Sequence, residues 1–172
     1  MLIHKWILKI VIQKNIIKKI MKNILDYLEE GVKNELNVSY LYAAFYYACP
    51  EDYQFWWDLS MEEVNHASLL RSGMDFCKFG DSPFEVSDKD LQELIELNIQ
   101  LPCIIEEFKK NPSRKKAFEI ALELENSVGE IHYQKVMTSD KNDQLIKIFK
   151  KLNKDDMDHE TRIRRYMREN DI

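Results

Sequence analysis

The sequence has little glycine and little proline, with four residues of each among 172. Both residue types interrupt helices and form turns, so their scarcity, together with abundant Leu, Ile, Glu and Lys, favours helices joined by short connections. A chain of this length can form one well-packed core. We therefore expect an all-α domain.

Cysteine is also scarce, and CxxC pairs are missing. Cys49, Cys77 and Cys103 are widely spaced along the chain, which argues against a disulfide framework and against a zinc knuckle. We expect reduced thiols, in or near the core of a cytoplasmic protein.

Two further features are missing from the sequence. No apolar run approaches the roughly 20 residues that a membrane-spanning helix needs. The net charge is -5, with acids and bases interspersed, and no basic stripe occurs beyond the first 22 residues. This pattern argues against nucleic-acid binding.

The first 22 residues alternate Ile, Leu and Trp with Lys, without gathering the apolar residues on one helical face. They contain no continuous apolar segment with a cleavage site, which argues against a secretory signal. Two interpretations stay open: a weak peripheral membrane anchor, or an extension ahead of a natural start at Met21. We divide the chain into an extension, residues 1–20, and a globular domain, residues 21–170.

The strongest periodicity lies near the carboxyl end, where residues suited to one buried helical stripe recur at steps of three and four. They are Leu145, Phe149, Leu152, Asp156, His159, Ile163 and Tyr166. A carboxylate and an imidazole in an apolar stripe cost several kcal/mol unless a partner compensates them. Asp156 and His159 therefore call for an explanation.

Three earlier segments also have helical periodicity: residues 21–49, a helix opened by Pro50 that ends before Gly80, and residues 113–137. Between the second and third, Ser87 caps a short helix that is predicted to end near Asn98, ahead of Pro102. A connection of this length suits a long crossover along the outside of a bundle.

Each long helix places polar residues on its apolar stripe. They are Glu35 on the first, Glu63 and His66 on the second, Glu125 on the third, and Asp156 and His159 on the fourth. Acid-x-x-His spacing presents both side chains to one centre. Taken singly, a buried Glu more often pairs with Lys or Arg, and acid-x-x-His arises by chance.

The charges of this set favour a dinuclear metal site. Four carboxylates without cations would repel one another and take up protons, whereas two divalent ions balance their charge. Carboxylates with imidazoles suit iron or manganese. We expect neighbouring Glu62 to lie on the solvent side of its helix, and His132 to be a core or rim histidine.

The residues also resemble a known family. Residues 35–42, ELNVSYLY, resemble the first metal-binding helix of ferritins and rubrerythrins, and residues 62–67, EEVNHA, resemble the second. Residues 124–127, LENS, with Tyr133 are similar to the third helix of rubrerythrin-type proteins, and residues 156–159, DMDH, occupy the place of their final Glu-x-x-His. The resemblance implies a ferritin-like four-helix bundle with a long crossover between helices two and three.

The resemblance also implies a role for each matching position. Glu35 and Glu125 would be terminal carboxylates, Glu63 and Asp156 would bridge the metals, and His66 and His159 would supply nitrogen ligands. Tyr42 and Tyr133 would hydrogen-bond ligand carboxylates. Two residues depart from the family pattern: Asp156 is one methylene shorter than the usual Glu, and Val128 replaces an additional carboxylate.

By this resemblance the protein would hold two iron ions, with manganese or a mixed pair as alternatives. It would reduce peroxide or dioxygen, or oxidise ferrous iron. Electrons would come from a separate donor such as a rubredoxin or a reductase, because the chain has no CxxC pair, and a homodimer is expected. Two other functions stay open: iron sequestration without turnover, and a structural bundle that has lost its metals.

Overall fold

The computed structural model describes the backbone of residues 2–79, 86–132 and 144–172, and the side chains of 24–77, 86–126, 145–155 and 157–172. Every regular element in these ranges is helical. They are α1 (Leu2–Ala48), a 3₁₀ turn (Pro50–Asp52), α2 (Tyr53–Phe79), α3 (Asp88–Lys110), α4 (Arg114–His132) and α5 (Gln144–Glu169). The predicted all-α class is confirmed for this part of the chain.

The first helix is longer than predicted, because its backbone includes nearly all of residues 1–20 and passes position 21 without a break. Within the described ranges, none of the helices, α1 included, is long and apolar enough to cross a membrane. The end of the third predicted helical segment, residues 133–137, lies outside the described residues. Cys49 and Cys77 are buried thiols, as predicted, whereas Cys103 is exposed on α3.

Helix α3 corrects the prediction of a short helix that ends before Pro102. Ser87 does form the predicted capping box, but the helix continues through Pro102 to Lys110. A proline inside a helix costs about 3 kcal/mol, whereas each large apolar side chain that becomes buried contributes about 1.5–3 kcal/mol. Leu101 directly before the proline, and Ile105 and Phe108 after it, are all buried, so their packing outweighs the proline.

The apolar core is divided into two clusters. The Phe149 cluster contains Ile24, Tyr27, Leu28, Val32, Ala67, Leu70, Cys77, Leu94, Leu145, Ile146, Phe149 and Leu152. The Trp56 cluster contains Val38, Leu41, Tyr42, Phe45, Cys49, Trp56, Leu59, Leu101, Ile105, Phe108, Ala117, Phe118, Ala121, Leu124 and Ile163.

The order in which each helix meets the clusters gives its direction. Helices α1 and α5 run from the Phe149 cluster to the Trp56 cluster, and α2 runs the opposite way. Because α2 ends beside the Phe149 cluster and α4 begins in the Trp56 cluster, their connection must travel the length of the bundle. Helix α3 does so, from Leu94 to Phe108, packed mainly on α1.

Candidate metal centre

A band of buried polar side chains separates the two apolar clusters. On α1 it lies between Val32 and Val38, and on α5 between Leu152 and Ile163. Its members are Glu35, Glu63, His66, Glu125 and His159, which are 1–7% exposed. The helices thus bring five of the six predicted metal ligands together at one level of the bundle.

These five side chains form two overlapping groups of three. Glu35, Glu63 and His66 form one group, and Glu63, Glu125 and His159 form the other. In each group, one possible ligand atom from every residue lies within 4.8 Å of the others. Glu63 belongs to both groups, so its carboxylate lies between two potential metal positions.

The geometry around Glu63 is nearly symmetric. Its Oε2 lies 3.0 Å from Nδ1 of His66, and its Oε1 lies 3.1 Å from Nδ1 of His159. The outer carboxylates repeat the pattern: Glu35 Oε2 lies 3.7 Å from Nδ1 of His66, and Glu125 Oε1 lies 3.7 Å from Nδ1 of His159. Both imidazoles therefore direct Nδ1 toward the shared carboxylate, and the two rings stack with centroids 5.4 Å apart.

The outward nitrogens of the two histidines meet acids from each other's helices. His159 Nε2 on α5 lies 2.7 Å from Oε2 of Glu62 on α2. His66 Nε2 on α2 lies 3.4 Å from Oδ2 of Asp155 on α5. Carboxylates in such positions fix the orientation and tautomer of a metal-binding imidazole.

The contact made by Glu62 corrects the prediction that it lies on the solvent side. Its side chain is 37% exposed and hydrogen-bonds His159. Successive residues of a helix point about 100° apart, so Glu62 lies at the edge of α2 that faces α5. A sequence signal existed, because one acid directly precedes each acid-x-x-His motif: Glu62 in the first and Asp155 in the second.

A cleft of about 290 Å³ between α2 and α5 reaches both histidines. Cations at its mouth pair with the two outer acids: Arg162 Nη1 lies 2.6 Å from Glu62 Oε2, and Lys151 pairs with Asp155. The sequence prediction included neither cation. The cleft connects the buried imidazoles with solvent.

Tyr42, predicted to hydrogen-bond a ligand carboxylate, is fully buried in the Trp56 cluster. Its hydroxyl donates a short hydrogen bond to Oε1 of Glu125. Tyr133 and the side chains of Asp156, Val128 and His132 lie outside the described residues. The backbone of Asp156 belongs to α5, directly after Asp155.

Burial and close charges shift the pKa values of the central groups in opposite directions. Burial raises the pKa of Glu35 to about 8, and it also raises the pKa of Glu125. Burial acts in the same sense on Glu63, but the close imidazoles of His159 and His66 overcome it and hold the pKa of that carboxyl far below its usual range. Glu63 therefore stays ionised while the outer carboxyls favour protonation.

Both histidines favour the charged form. Burial alone would lower the pKa of His66, but the carboxylates of Glu35 and Glu63 raise it to about 10. Burial likewise opposes the charge on His159, and the surrounding carboxylates, first that of Glu125, raise its pKa well above the ordinary value. In the absence of metal, the imidazolium groups thus supply the positive charge that the carboxylates require.

The residues present fit a pair of transition-metal ions. His159 Nδ1 is buried and lies 3.1 Å from Glu63 Oε1 and 3.7 Å from Glu125 Oε1 without the alignment of a hydrogen bond to either, a placement that suits a nitrogen ligand. The donor set combines carboxylate oxygens with imidazole nitrogens, which suits iron and manganese. No protein-family model matches the chain, and comparisons with curated proteins and with solved structures give no significant match.

Proposed function

We propose that this chain is a ferritin-like protein that holds two iron ions and uses them in redox chemistry on peroxide, dioxygen or ferrous iron. The observation that carries the proposal is the shared carboxylate of Glu63, placed between two buried groups of ligands. Glu35 and His66 would complete one metal site, and Glu125 and His159 the other. Asp156 would add a fourth carboxylate, by its position in the sequence.

The arrangement of the helices supports the ferritin-like assignment. Ferritin-like bundles contain one long crossover, and each of their four main helices contributes ligands. Here α1, α2, α4 and α5 supply the buried polar residues, and α3 runs between the two ends of the bundle.

The balance of charge supports metal binding. With Asp156 included, four carboxylates carry a charge that two divalent ions would neutralise. Burial raises the pKa values of Glu35 and Glu125, and a divalent ion bound beside them would favour their charged form. Metal ions would replace the protons on these carboxyls and on the imidazoles.

When bound, the iron pair would supply the electrons and the Lewis acidity for the reaction. The protein's own side chains have separate tasks. Glu62 and Asp155 hold the imidazoles in place, and Tyr42 holds the carboxylate of Glu125. The two apolar clusters exclude water on either side, and the cleft beside Arg162 admits a small oxidant.

Manganese or a mixed pair is the alternative metal content, and a rubredoxin or a reductase is the proposed class of electron donor. The homodimer and the cytoplasmic location stay predictions. The additional carboxylate of rubrerythrins proper would be at Val128 in this chain, so we propose that peroxide turnover is slower here than in those relatives.

Metal analysis of protein purified without oxygen tests the proposal. We expect about two metal ions per chain after ferrous loading, and absorption by an oxo-bridged diferric pair after oxidation. Fewer than one ion per chain, with no uptake of added ferrous iron, would refute it. Glu125→Ala should lose metal, whereas Glu123→Ala, an exposed neighbour on the same helix, should bind as the wild type does.

One observation favours a second candidate, a structural bundle without metals. The close His66–Glu63 and His159–Glu63 pairs already place positive charge beside the shared carboxylate without any ion. The same metal analysis separates the two functions. If iron does bind, rapid oxidation of the reduced protein by peroxide in the presence of a reductase indicates an enzyme, whereas accumulation of many iron ions per chain indicates a store.

A further inference from the structure

A row of aromatic rings begins at the proposed metal centre. The hydroxyl of Tyr42 donates to Glu125, and the ring of Tyr42 stacks on the indole of Trp56, with centroids 5.8 Å apart. Both side chains are fully buried. A residue that hydrogen-bonds a proposed ligand is therefore in direct contact with a tryptophan.

The row continues from Trp56 toward the surface by two neighbouring rings. Phe55 lies 5.1 Å from Trp56 and Phe118 lies 4.4 Å from it, between ring centroids. Both phenylalanines stack on Tyr166, at 4.2 Å and 5.6 Å. No step from Tyr42 to Tyr166 along these contacts exceeds 5.8 Å.

The outer end of the row has a built-in proton acceptor. Tyr166 is partly exposed, and its hydroxyl donates to Oδ1 of Asp52 at 3.0 Å. Asp52 is only 1% exposed, and the guanidinium of Arg114 holds both of its oxygens at 2.8 Å. A tyrosine that loses an electron becomes a strong acid, so a fixed carboxylate at its hydroxyl makes its oxidation reversible.

We propose that Tyr42, Trp56 and Tyr166 carry electrons between the metal centre and the surface of the protein, with Tyr166 as the outer terminus. Tyrosine and tryptophan are the side chains of this row that one-electron oxidation can reach, and the phenylalanines fill the gap between them. This inference deepens the proposed function and rests on it.

In a chain loaded with one ferrous ion, the reduction of hydrogen peroxide would draw on two electron sources. Peroxide accepts two electrons as its O–O bond breaks, and two protons from solvent complete two water molecules. One electron would come from a bound ferrous ion, which would thereby be oxidised to the ferric state. Tyr166 gives the other through Trp56 and Tyr42, and its phenol proton passes to Asp52, which leaves a neutral tyrosyl radical for an external reductant to quench.

The test uses the full chain loaded with less than one ferrous ion, mixed with peroxide and frozen for electron paramagnetic resonance. We expect a tyrosyl spectrum with the hyperfine pattern of Tyr166 from the wild type, and loss of that pattern in Tyr166→Phe and in Trp56→Phe, where oxidation would stop at a side chain nearer the metal centre. Tyr46→Phe is the matched control, because the ring of Tyr46 contacts Tyr47, Tyr53 and Trp57. It should keep the spectrum.

Ferrous binding and thermal unfolding are measured on every variant first, so that a lost site or a lost fold is recognised. The same spectrum at the same yield in Tyr166→Phe would overturn the electron path and leave the metal site intact. Absence of ferrous binding by the wild type would overturn the proposed function, and the path with it.

Discussion

Binding of a divalent metal should release protons from the centre, because the metal-free site holds protons where the metals would bind. With a pKa of about 8, Glu35 is roughly nine-tenths protonated at pH 7. With a pKa of about 10, His66 is fully protonated there. Both must lose the proton to become ligands.

The expected number of protons follows from the individual groups. Two histidines with raised pKa values and Glu35 give about three protons for each metal pair near pH 7. The metal-free protein binds more protons, so raising the pH favours the metal-bound form. The logarithm of the overall affinity should rise by about three for each pH unit near pH 7. The slope should decrease as the pH passes about 8 and then about 10, the pKa values of Glu35 and His66.

Calorimetric titration with Mn²⁺, which is not oxidised under these conditions, measures the proton count. The observed binding enthalpy at pH 7 is plotted against the ionisation enthalpy of several buffers. The slope of this plot gives the number of protons released. Glu123→Ala should give the wild-type slope. Release of less than one proton per metal pair would refute the reasoning, because the histidines would then be neutral in the metal-free protein.

Three further predictions concern the surroundings of the centre. Glu62→Gln should weaken metal binding by about 10–100-fold through loss of the carboxylate that orients His159; competition with a chelator measures this, and equal weakening by exposed Asp58→Asn would contradict it. Asp52→Asn should lower the free energy of unfolding, measured in urea, by about 2 kcal/mol. This value is smaller than for a fully buried ion pair because the side chain of the partner Arg114 is 31% exposed. Glu51→Gln should leave the free energy of unfolding nearly unchanged, and a similar loss in that variant would contradict the reasoning. The metal-free protein should become less stable to heat as the pH rises from about 6.5 toward 10. Protonated His66 stabilises the fold fully below the pKa that it has in the unfolded chain, and this contribution is lost as the pH passes its raised pKa in the folded protein. A melting temperature that rises over this range would contradict the prediction.

Helical periodicity was sufficient to find the residues of the polar band. Glu35, Glu63, His66, Glu125 and His159 each interrupt an apolar stripe, and an interrupted stripe is visible in one sequence. The same signal predicted the four long helices and the position of the connection between α2 and α4. The N-terminal cap of α3 at Ser87 could also be predicted from the sequence, because a capping box depends on two residues that are three positions apart.

The contacts at helix edges could not be predicted in this way. Periodicity gives the face of a residue on its own helix, whereas the pairing of Glu62 with His159 depends on how α2 and α5 are rotated against each other. The helix through Pro102 was missed for a related reason. Its stability comes from Leu101, Ile105 and Phe108 packing in the bundle, and the local effect of a proline does not include that packing.

The band of charged side chains between the two apolar clusters also affects how the protein unfolds. Each cluster can exclude water without the other, and the five buried side chains of the band between them are carboxylates and imidazoles. Without metal, the two ends should therefore behave as separate cooperative units, distinguishable by the rates of backbone amide hydrogen exchange in α1 on either side of Glu35. Metal ions bound to four helices at that level would merge the two units into one, and this chain would then use its metals to fold as well as to react.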